Sequence, residues 1–543
     1  MNGADAIAKC LVKEGVDIIF GYSGVAIDPF WNSVGKENIK TVLVRTEQNA
    51  GHAASGYART LGKVGVCAVT SGPGATNLLT GIATAYADSI PLVCITGQVN
   101  KDQIGSDCFQ EADVTGAAES FVKFSYLIRE VKDIPRIIHE AFFVASTGRR
   151  GPVLIDIPMD IQLKRIPDFD YPEEEPKMRT YKPTVKGNTV QIKKVVKVLE
   201  NAKKPLIIAG GGVFLSGAKK ELRAFVERHS IPVVSTMMGL GVLPSDHPMY
   251  YGMVGNNGNA HANRAMRECD TLLMVGARVA DRAVAAPDMT FEGKILVHMD
   301  VDPAEIGKNV GPTIPIVGDI KHIFMDFLES ELTTSKHDTW VNMLDLYRDS
   351  MKEERHSSKG FVNPQTFVRK LSLAMEDESV YVADVGQNQL FSCRNIILRD
   401  RGKFFTSGGM GTMGYSIPAA MGAKAAERDT QVVAVCGDGS FQMSMMELAT
   451  IKQFDLPVKI VVMRNTYLGL VREHQHHVYS DEYNMVYLGE DPDLSMIAKA
   501  YDVGYFRADN MEGIDDKIAA FLKEDRTAIF EIRIDPEENV KEL

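Results

Sequence analysis

Closely paired cysteines are missing from this sequence. Its seven cysteines, Cys10, Cys67, Cys94, Cys108, Cys269, Cys393 and Cys436, stand singly, with no CxxC and an odd count. That argues against a structural zinc site and against a disulfide framework. Most lie in apolar runs such as VGVCAVT and PLVCITG, where cysteine serves as a small buried hydrophobe. Long apolar runs are missing too: no stretch reaches the roughly 18 residues that a bilayer requires. The opening MNGADAIAKCLVKEG alternates apolar with charged residues and has no uninterrupted apolar core of the signal-peptide kind. No long basic block occurs, and a net charge of −11 speaks against nucleic acid or an anionic membrane surface as partner. The expected setting is the cytosol.

What is present is an ordinary globular composition, 45% hydrophobic and 24% charged, in a chain of 543 residues. That length calls for about three domains. Short β-branched runs alternate with helical patterns nearly throughout, which predicts an α/β fold of parallel sheets covered by helices. VDIIFGY, VGVCAVT, PLVCITG and GPVLIDIP read as strands of a first unit. KPLIIAGGG, IPVVSTM, DTLLMVGAR and KILVHMDVD read as strands of a second, and SVYVADVG, QVVAVCGDG, VKIVVMRN and TAIFEIRID as strands of a third. Proline- and charge-rich segments separate them. The boundaries expected are 1–167, a linker 168–189, 190–330, a linker 331–361, and 362–543. The first and third units invite the idea of a duplication, which the sequence is too divergent to prove.

One stretch of the third unit carries chemistry. GDGSFQMSMMELATIKQFDLPVKIVVMRNTYLG reads as a strand ending at Gly437, one helix with apolar residues at Phe441, Met445, Leu448, Ile451 and Phe454, and a second strand. Asp438 and Asn465 then fall just past the carboxyl ends of two parallel strands, the edge where open α/β sheets bind ligands. One carboxylate and one amide oxygen suit Mg²⁺ sharing phosphate oxygens, and Gly439 and Ser440 open the helix, where free N–H groups can hold a phosphate. The competing reading is that Asp438 and Ser440 only cap the helix.

The wider pattern resembles a known family. GDG with its downstream asparagine is similar to the diphosphate motif of thiamine-diphosphate (ThDP) enzymes. GVDIIFGYSG, EQNAGHAASGYAR, TSGPGATNLLTGIATAYADSIPLVCITGQV, IGSDCFQEADV, GRRGPVLIDIP, GARVADR, ADVGQNQ, SGGMGTMGYSIPAA and NTYLGLVREHQ together resemble the acetohydroxyacid (acetolactate) synthase catalytic subunit, in order and over nearly the whole chain. The resemblance implies three doubly wound parallel-sheet domains of the ThDP-dependent decarboxylase type. It implies decarboxylation of a 2-ketoacid such as pyruvate, and ligation of the two-carbon unit to a second 2-ketoacid to give acetolactate or acetohydroxybutyrate. The alternative is a sibling ThDP decarboxylase or carboligase with an aldehyde, keto-sugar or acyl-CoA acceptor.

Site residues follow by the same resemblance. Glu47 matches the glutamate that exchanges a proton with the aminopyrimidine. Gly386, Gln387, Gly411, Met413, Gly437, Asp438, Gly439, Ser440, Asn465, Tyr467, Gly469 and Leu470 match the cofactor grip, with Asp438, Asn465 and the Tyr467 carbonyl as Mg²⁺ ligands. Phe109 and Gln110 match positions facing the reacting carbonyl, Val25 a catalytic-site glycine position where its side chain should crowd the space above the thiazolium, Arg282 the arginine that receives the acceptor's carboxylate, and His474 a residue tied to acceptor choice. Family members also hold FAD. Arg149, Gly210, Gly211, Gly212, Gly276, Arg278, Arg282, Asp300 and Asp319 match that site, whereas Asn257, Val279 and Ala280 depart from it, so an emptied nucleotide pocket competes with FAD. Glu47 and the diphosphate grip come from different chains in the family. A homodimer or homotetramer is thus implied, and a small regulatory subunit is a further candidate partner. Other departures are Val25 for glycine, Thr46 for histidine, Met159 for lysine, Arg464 for asparagine, and His474 for the tryptophan of RQWQ. Several lie around the substrate entrance in the family, so the acceptor, or else the donor, is the feature expected to differ.

Overall fold

The computed structural model describes residues 1–284, 290–311, 313–333, 337–351, 360–490 and 492–540. Three six-stranded sheets follow one another along the chain, and every pairing between named strands is parallel. The first contains β1 (Ile18–Tyr22), β2 (Lys40–Leu43), β3 (Gly65–Val69), β4 (Leu92–Gln98), β5 (Phe124–Leu127) and β6 (Pro152–Pro158), in the order β2-β1-β3-β4-β6-β5. The second contains β7 (Pro205–Ala209), β8 (Val233–Ser235), β9 (Tyr250–Met253), β10 (Thr271–Val275), β11 (Ile295–Asp300) and β12 (Ile314–Val317), in the order β12-β11-β10-β7-β8-β9. The third contains β13 (Ser379–Ala383), β14 (Lys403–Phe405), β15 (Gln431–Gly437), β16 (Lys459–Arg464), β17 (Gly504–Ala508) and β18 (Ala528–Arg533), in the order β14-β13-β15-β16-β18-β17.

Counted within each unit, the first and third sheets share one strand order, 2-1-3-4-6-5, which supports the duplication suggested by the sequence. The second reads 3-2-1-4-5-6, the order of dinucleotide-binding sheets, in which ligands lie at the crevice between strands 1 and 4. Here that crevice opens between β7 and β10.

The first and third sheets share one hydrophobic core, in which Phe20, Ala53 and Leu78 meet Ala419, Phe441 and Ile460. Two helices make the contact, Glu47–Leu61 and Ser416–Ala426. Their backbones approach so closely that only glycine fits: a Cβ on Gly56 would lie 1.9 Å from the Ala419 carbonyl oxygen, and one on Gly422 would lie 1.9 Å from that of Ala53.

Apart from Thr189, which opens the next helix, segment 168–189 carries no helix or strand, yet it is anchored: Phe169, Tyr171, Met178 and Tyr181 pack on the first domain, and the Tyr181 hydroxyl donates to the Thr147 carbonyl at 2.7 Å. Segment 331–361, read as a linker, holds a helix, Asp338–Ser350. Trp340, Leu344 and Tyr347 recur at helical spacing and pack into the core of the second domain, outweighing the polar composition of the rest. Residues 334–336 and 352–359 of that segment lie outside the described residues. The helix expected across Ser440–Phe454 is two, Asp438–Ser444 and Glu447–Gln453. Glu447 is drawn at the break onto the first domain, where its fully buried carboxylate accepts from the Arg45 N–H (2.8 Å) and the Asn49 amide (2.9 Å).

Candidate active site

The third sheet gathers most of the expected residues at the carboxyl ends of β13, β15 and β16. Asp438 follows β15 directly and is buried. Its Oδ2 accepts from the Thr466 N–H at 2.6 Å and its Oδ1 from the Gly439 N–H at 3.0 Å. Burial pushes its pKa up to about 6, while those two main-chain donors and the nearby Arg464 cation pull the other way. Asn465 follows β16; its Nδ2 donates to Gln387 Oε1 at 3.2 Å, and its Oδ1 accepts from the Tyr467 N–H at 3.1 Å. Gly386 and Gln387 lie just beyond β13, with Gly386 at φ +130°, a conformation that favours glycine. Ser440 folds back, its Oγ accepting from the Gly437 N–H at 3.1 Å, the capping contact of the competing reading. Met413 reaches the same place: its Cε would be 3.5 Å from a Cβ on Gly439. Gly411 turns the chain there at φ +70°.

Gly469 opens helix Gly469–Tyr479 and has a definite reason to be glycine. A Cβ there would sit 2.1 Å from Gln387 Oε1 and 2.5 Å from Asn465 Nδ2. Leu470 packs on the third domain's core. Tyr467 lies in a short antiparallel contact, flanked by the bonds Leu468 N–H to Val486 O and Leu488 N–H to Thr466 O, both 2.8 Å. His474 is exposed on the same helix, its ring 5.9 Å from that of Tyr479.

The first sheet builds a second cluster. Glu47 starts helix Glu47–Leu61 just beyond β2 and accepts from the Asn77 amide at 3.1 Å. It is half-buried in the single chain, not enclosed. Beyond β1 and β3, Gly24 lies against Thr70, and Gly72 (φ +59°) against Gln110 (φ +60°). The hydroxyls of Thr46 and Thr70 are buried with no hydrogen-bond partner among the described residues. Val25 and Phe109 project outward, 79% and 87% exposed. Among the described residues, the hydrogen bonds of Glu47 stay in the first domain and those of Asp438 in the third. One chain thus presents two separate clusters.

A separate cavity of about 740 Å³ opens between the three domains, at the crevice of the second sheet. Gly211, Gly212, Gly276, Arg278, Arg282 and the pair Asp300 and Asp319 line it, as does Arg149. Gly210 lies behind the wall, where a Cβ would meet the Gly276 carbonyl oxygen at 2.3 Å. Arg149 pairs with Asp302 (3.2 Å) and Glu305 (3.0 Å), and the Arg278 guanidinium donates to the Ala87 carbonyl at 2.9 Å. Burial pushes the Asp300 carboxyl up to about 6. Asp319 caps helix Ile320–Glu329, accepting from the Lys321 N–H at 3.0 Å. The structure therefore places Arg282 on this cavity and not in the Asp438 cluster.

Sequence reasoning missed Asp384, Asn77, Glu447 and Glu473. Asp384 was findable, because the run SVYVAD ends in a carboxylate as QVVAVCGD does. Fully buried, it accepts from the Gly414 and Ser416 N–H groups at 2.9 and 2.8 Å and so holds the loop that carries Met413.

Comparison with known proteins identifies the family. Models of thiamine pyrophosphate enzymes match the N-terminal TPP binding domain over residues 1–117, the central domain over 192–328 and the C-terminal TPP binding domain over 384–532. A protein of Methanocaldococcus jannaschii named "Probable acetolactate synthase large subunit" is 42% identical, covering 99% of this chain and 93% of the relative. The acetolactate synthase of Arthrospira platensis is 40% identical over 99% and 95%. The large subunit from Haemophilus influenzae is 38% identical over 99% and 96%. The chain belongs to the acetolactate synthase large-subunit family.

Its departures from the family's motifs fall in different surroundings. Val25 and His474 are exposed, Thr46 buries an unpartnered hydroxyl, and Met159 begins the short helix Met159–Leu163. Arg464 pairs with the buried Glu531 at 3.1 Å. All seven cysteines are unpaired. Among the described residues, no helix is long and apolar enough to cross a membrane.

Proposed function

We propose that this protein condenses two 2-ketoacids with loss of CO₂, pyruvate being the donor, to give acetolactate or its homologue from 2-ketobutyrate. The observation that carries the reading is the meeting of Asp438, Asn465 and Gln387 at the ends of β13, β15 and β16, within a chain of this family.

The residues present fit the cofactors. Asp438 is a carboxylate whose charge burial disfavours, and a cation shared with the Asn465 oxygen and the Tyr467 carbonyl would offset that cost. One carboxylate, one amide and one carbonyl leave further coordination positions for diphosphate oxygens, which suits Mg²⁺. Gly386, Gln387 and the turn Gly437–Ser440 would border the diphosphate, Met413 the ring portion. When bound, ThDP supplies the electron sink that accepts the pair left as CO₂ departs. The protein's share is to hold and move protons and to exclude water. Glu47, steadied by Asn77, would exchange a proton with a ring nitrogen of the pyrimidine. Val25, Phe109 and Gln110 would wall the space over the reacting carbonyl.

The separation of the two clusters supports a homodimer, alone or paired as a tetramer, in which Glu47 of one chain faces Asp438 of another. Exposed apolar Val25, Phe109 and Met485 are in keeping with such an interface, Met485 being 97% exposed. The 740 Å³ cavity, rimmed by arginines at the crevice of a dinucleotide-type sheet, supports FAD as a further ligand. A carboxylate-binding role for Arg282 would be exercised from that cavity's edge. Relatives named "large subunit" support a small-subunit partner, and unpaired cysteines support the cytosol. His474, exposed on helix Gly469–Tyr479, is the side chain we assign to acceptor choice.

The test is product analysis by mass spectrometry with pyruvate, ThDP and Mg²⁺, with and without 2-ketobutyrate. Acetolactate from the wild type, and at least a hundredfold less from Glu47→Gln, is expected. Acetaldehyde as sole product would contradict the condensation.

A further inference from the structure

A carboxylate and a main-chain carbonyl can only accept hydrogen bonds, so an amide lying between them must turn its NH₂ toward both. Gln387 is placed in this way. Its Nε2 donates to Glu473 Oε2 at 2.8 Å and to the Glu538 carbonyl at 2.9 Å. Its Oε1 is therefore the atom that faces Asn465 and accepts from Asn465 Nδ2 at 3.2 Å. That in turn leaves Oδ1 as the other end of the Asn465 side chain, where the Tyr467 N–H meets it at 3.1 Å. One carboxylate sets the orientation of two amides in series.

Glu473 is buried on helix Gly469–Tyr479, and each of its oxygens lies 3.1 Å from the Val540 N–H. Neighbouring contacts hold the same C-terminal segment: Arg472 donates to the Pro536 carbonyl at 2.7 Å, and Arg394 donates to the Val540 carbonyl. Gly469 makes room for the Gln387–Asn465 contact, since any Cβ there would collide with both amides. An amide at 473, as in the RQWQ pattern, could donate as well as accept and would not fix this polarity.

We propose that Glu473 is a positioning residue for the cation site: with segment Pro536–Val540 it locks Gln387, and through Gln387 it presents the oxygen of Asn465, not its NH₂, to a divalent cation beside Asp438. The proposal rests on Asp438 and Asn465 being the ligands.

Mn²⁺ serves as the probe, titrated into the full-length protein with ThDP and followed by electron paramagnetic resonance. Glu473→Gln, nearly isosteric, should bind Mn²⁺ about tenfold more weakly, as expected for a partner that orients a metal ligand. Its metal-free melting temperature should stay at the wild-type value, and KM for pyruvate at saturating Mg²⁺ should not move, which a general loosening of the fold would not allow. Should that variant fail to fold, Gln387→Leu removes the middle of the relay and should weaken Mn²⁺ binding at least as much. Wild-type affinity in either folded variant would overturn the proposal. Absence of Mn²⁺ binding by the wild type would remove the ligand assignment itself, and the proposal with it.

Discussion

His52 lies on helix Glu47–Leu61, fully enclosed, with neither ring nitrogen hydrogen-bonded among the described residues and its ring 5.3 Å from that of Tyr415. Burial lowers its pKa from 6.5 to about 4. The unfolded chain takes up a proton as pH falls below the ordinary value, while the folded chain resists it. The stabilising contribution is thus complete above pH 6.5 and is lost as pH falls toward 4, by about 3 kcal/mol. His52→Phe should flatten the dependence of melting temperature on pH across that window, and calorimetry of both proteins at pH 7.5 and 4.5 checks it. At this scale legibility depended on anchoring. Asp438 and Asn465 could be read because each ends a strongly apolar strand. Glu447 could not, because its partner Arg45 is 402 residues away in the chain. Nor could Glu473, whose role depends on Val540, 67 residues on.

Among elements, every strand that the sequence pattern reveals is interior or next to the edge, and the six it misses, β2, β5, β9, β12, β14 and β17, are the outermost strands of the three sheets. An interior strand is covered on both faces and paired on both sides, so it reads as an unbroken apolar run. An edge strand carries no such run: Lys40–Leu43 exposes most of its residues, and none of Phe124–Leu127 is fully buried. The broken helix at Met445–Met446 was hidden for a related reason, since the break is set by a contact to another domain. The crossing of helices Glu47–Leu61 and Ser416–Ala426 offers a direct test of packing. Gly56→Ala or Gly422→Ala places a methyl group against rigid backbone and should cost about 1–3 kcal/mol or more. Urea unfolding reads this as a lower midpoint. Because that helix carries Glu47, activity should fall as well, whereas Gly217→Ala, where nothing lies within 4 Å, should spare activity despite its positive φ.

Over the whole molecule, two copies of one sheet order flank a sheet of dinucleotide type, and the first and third domains share a core. The three units were legible from alternating strands and helices. Their strand orders were not, because register and neighbour choice are set by packing between segments far apart in sequence. The repeated order also explains the two clusters. Each outer sheet offers its crevice between its first and third strands, Val25 and Gly72 on one, Gly386 and Asp438 on the other. We propose that they join across two chains, which complementation would reveal. Glu47→Gln and Asp438→Ala subunits, each inactive alone, are co-expressed and acetolactate formation is measured. In a symmetric dimer with shared sites, each mixed dimer carries one intact site and one doubly altered site, so activity should return to about a quarter of wild type. No recovery from mixed dimers shown to have formed would mean that each chain completes its own site, contradicting this account.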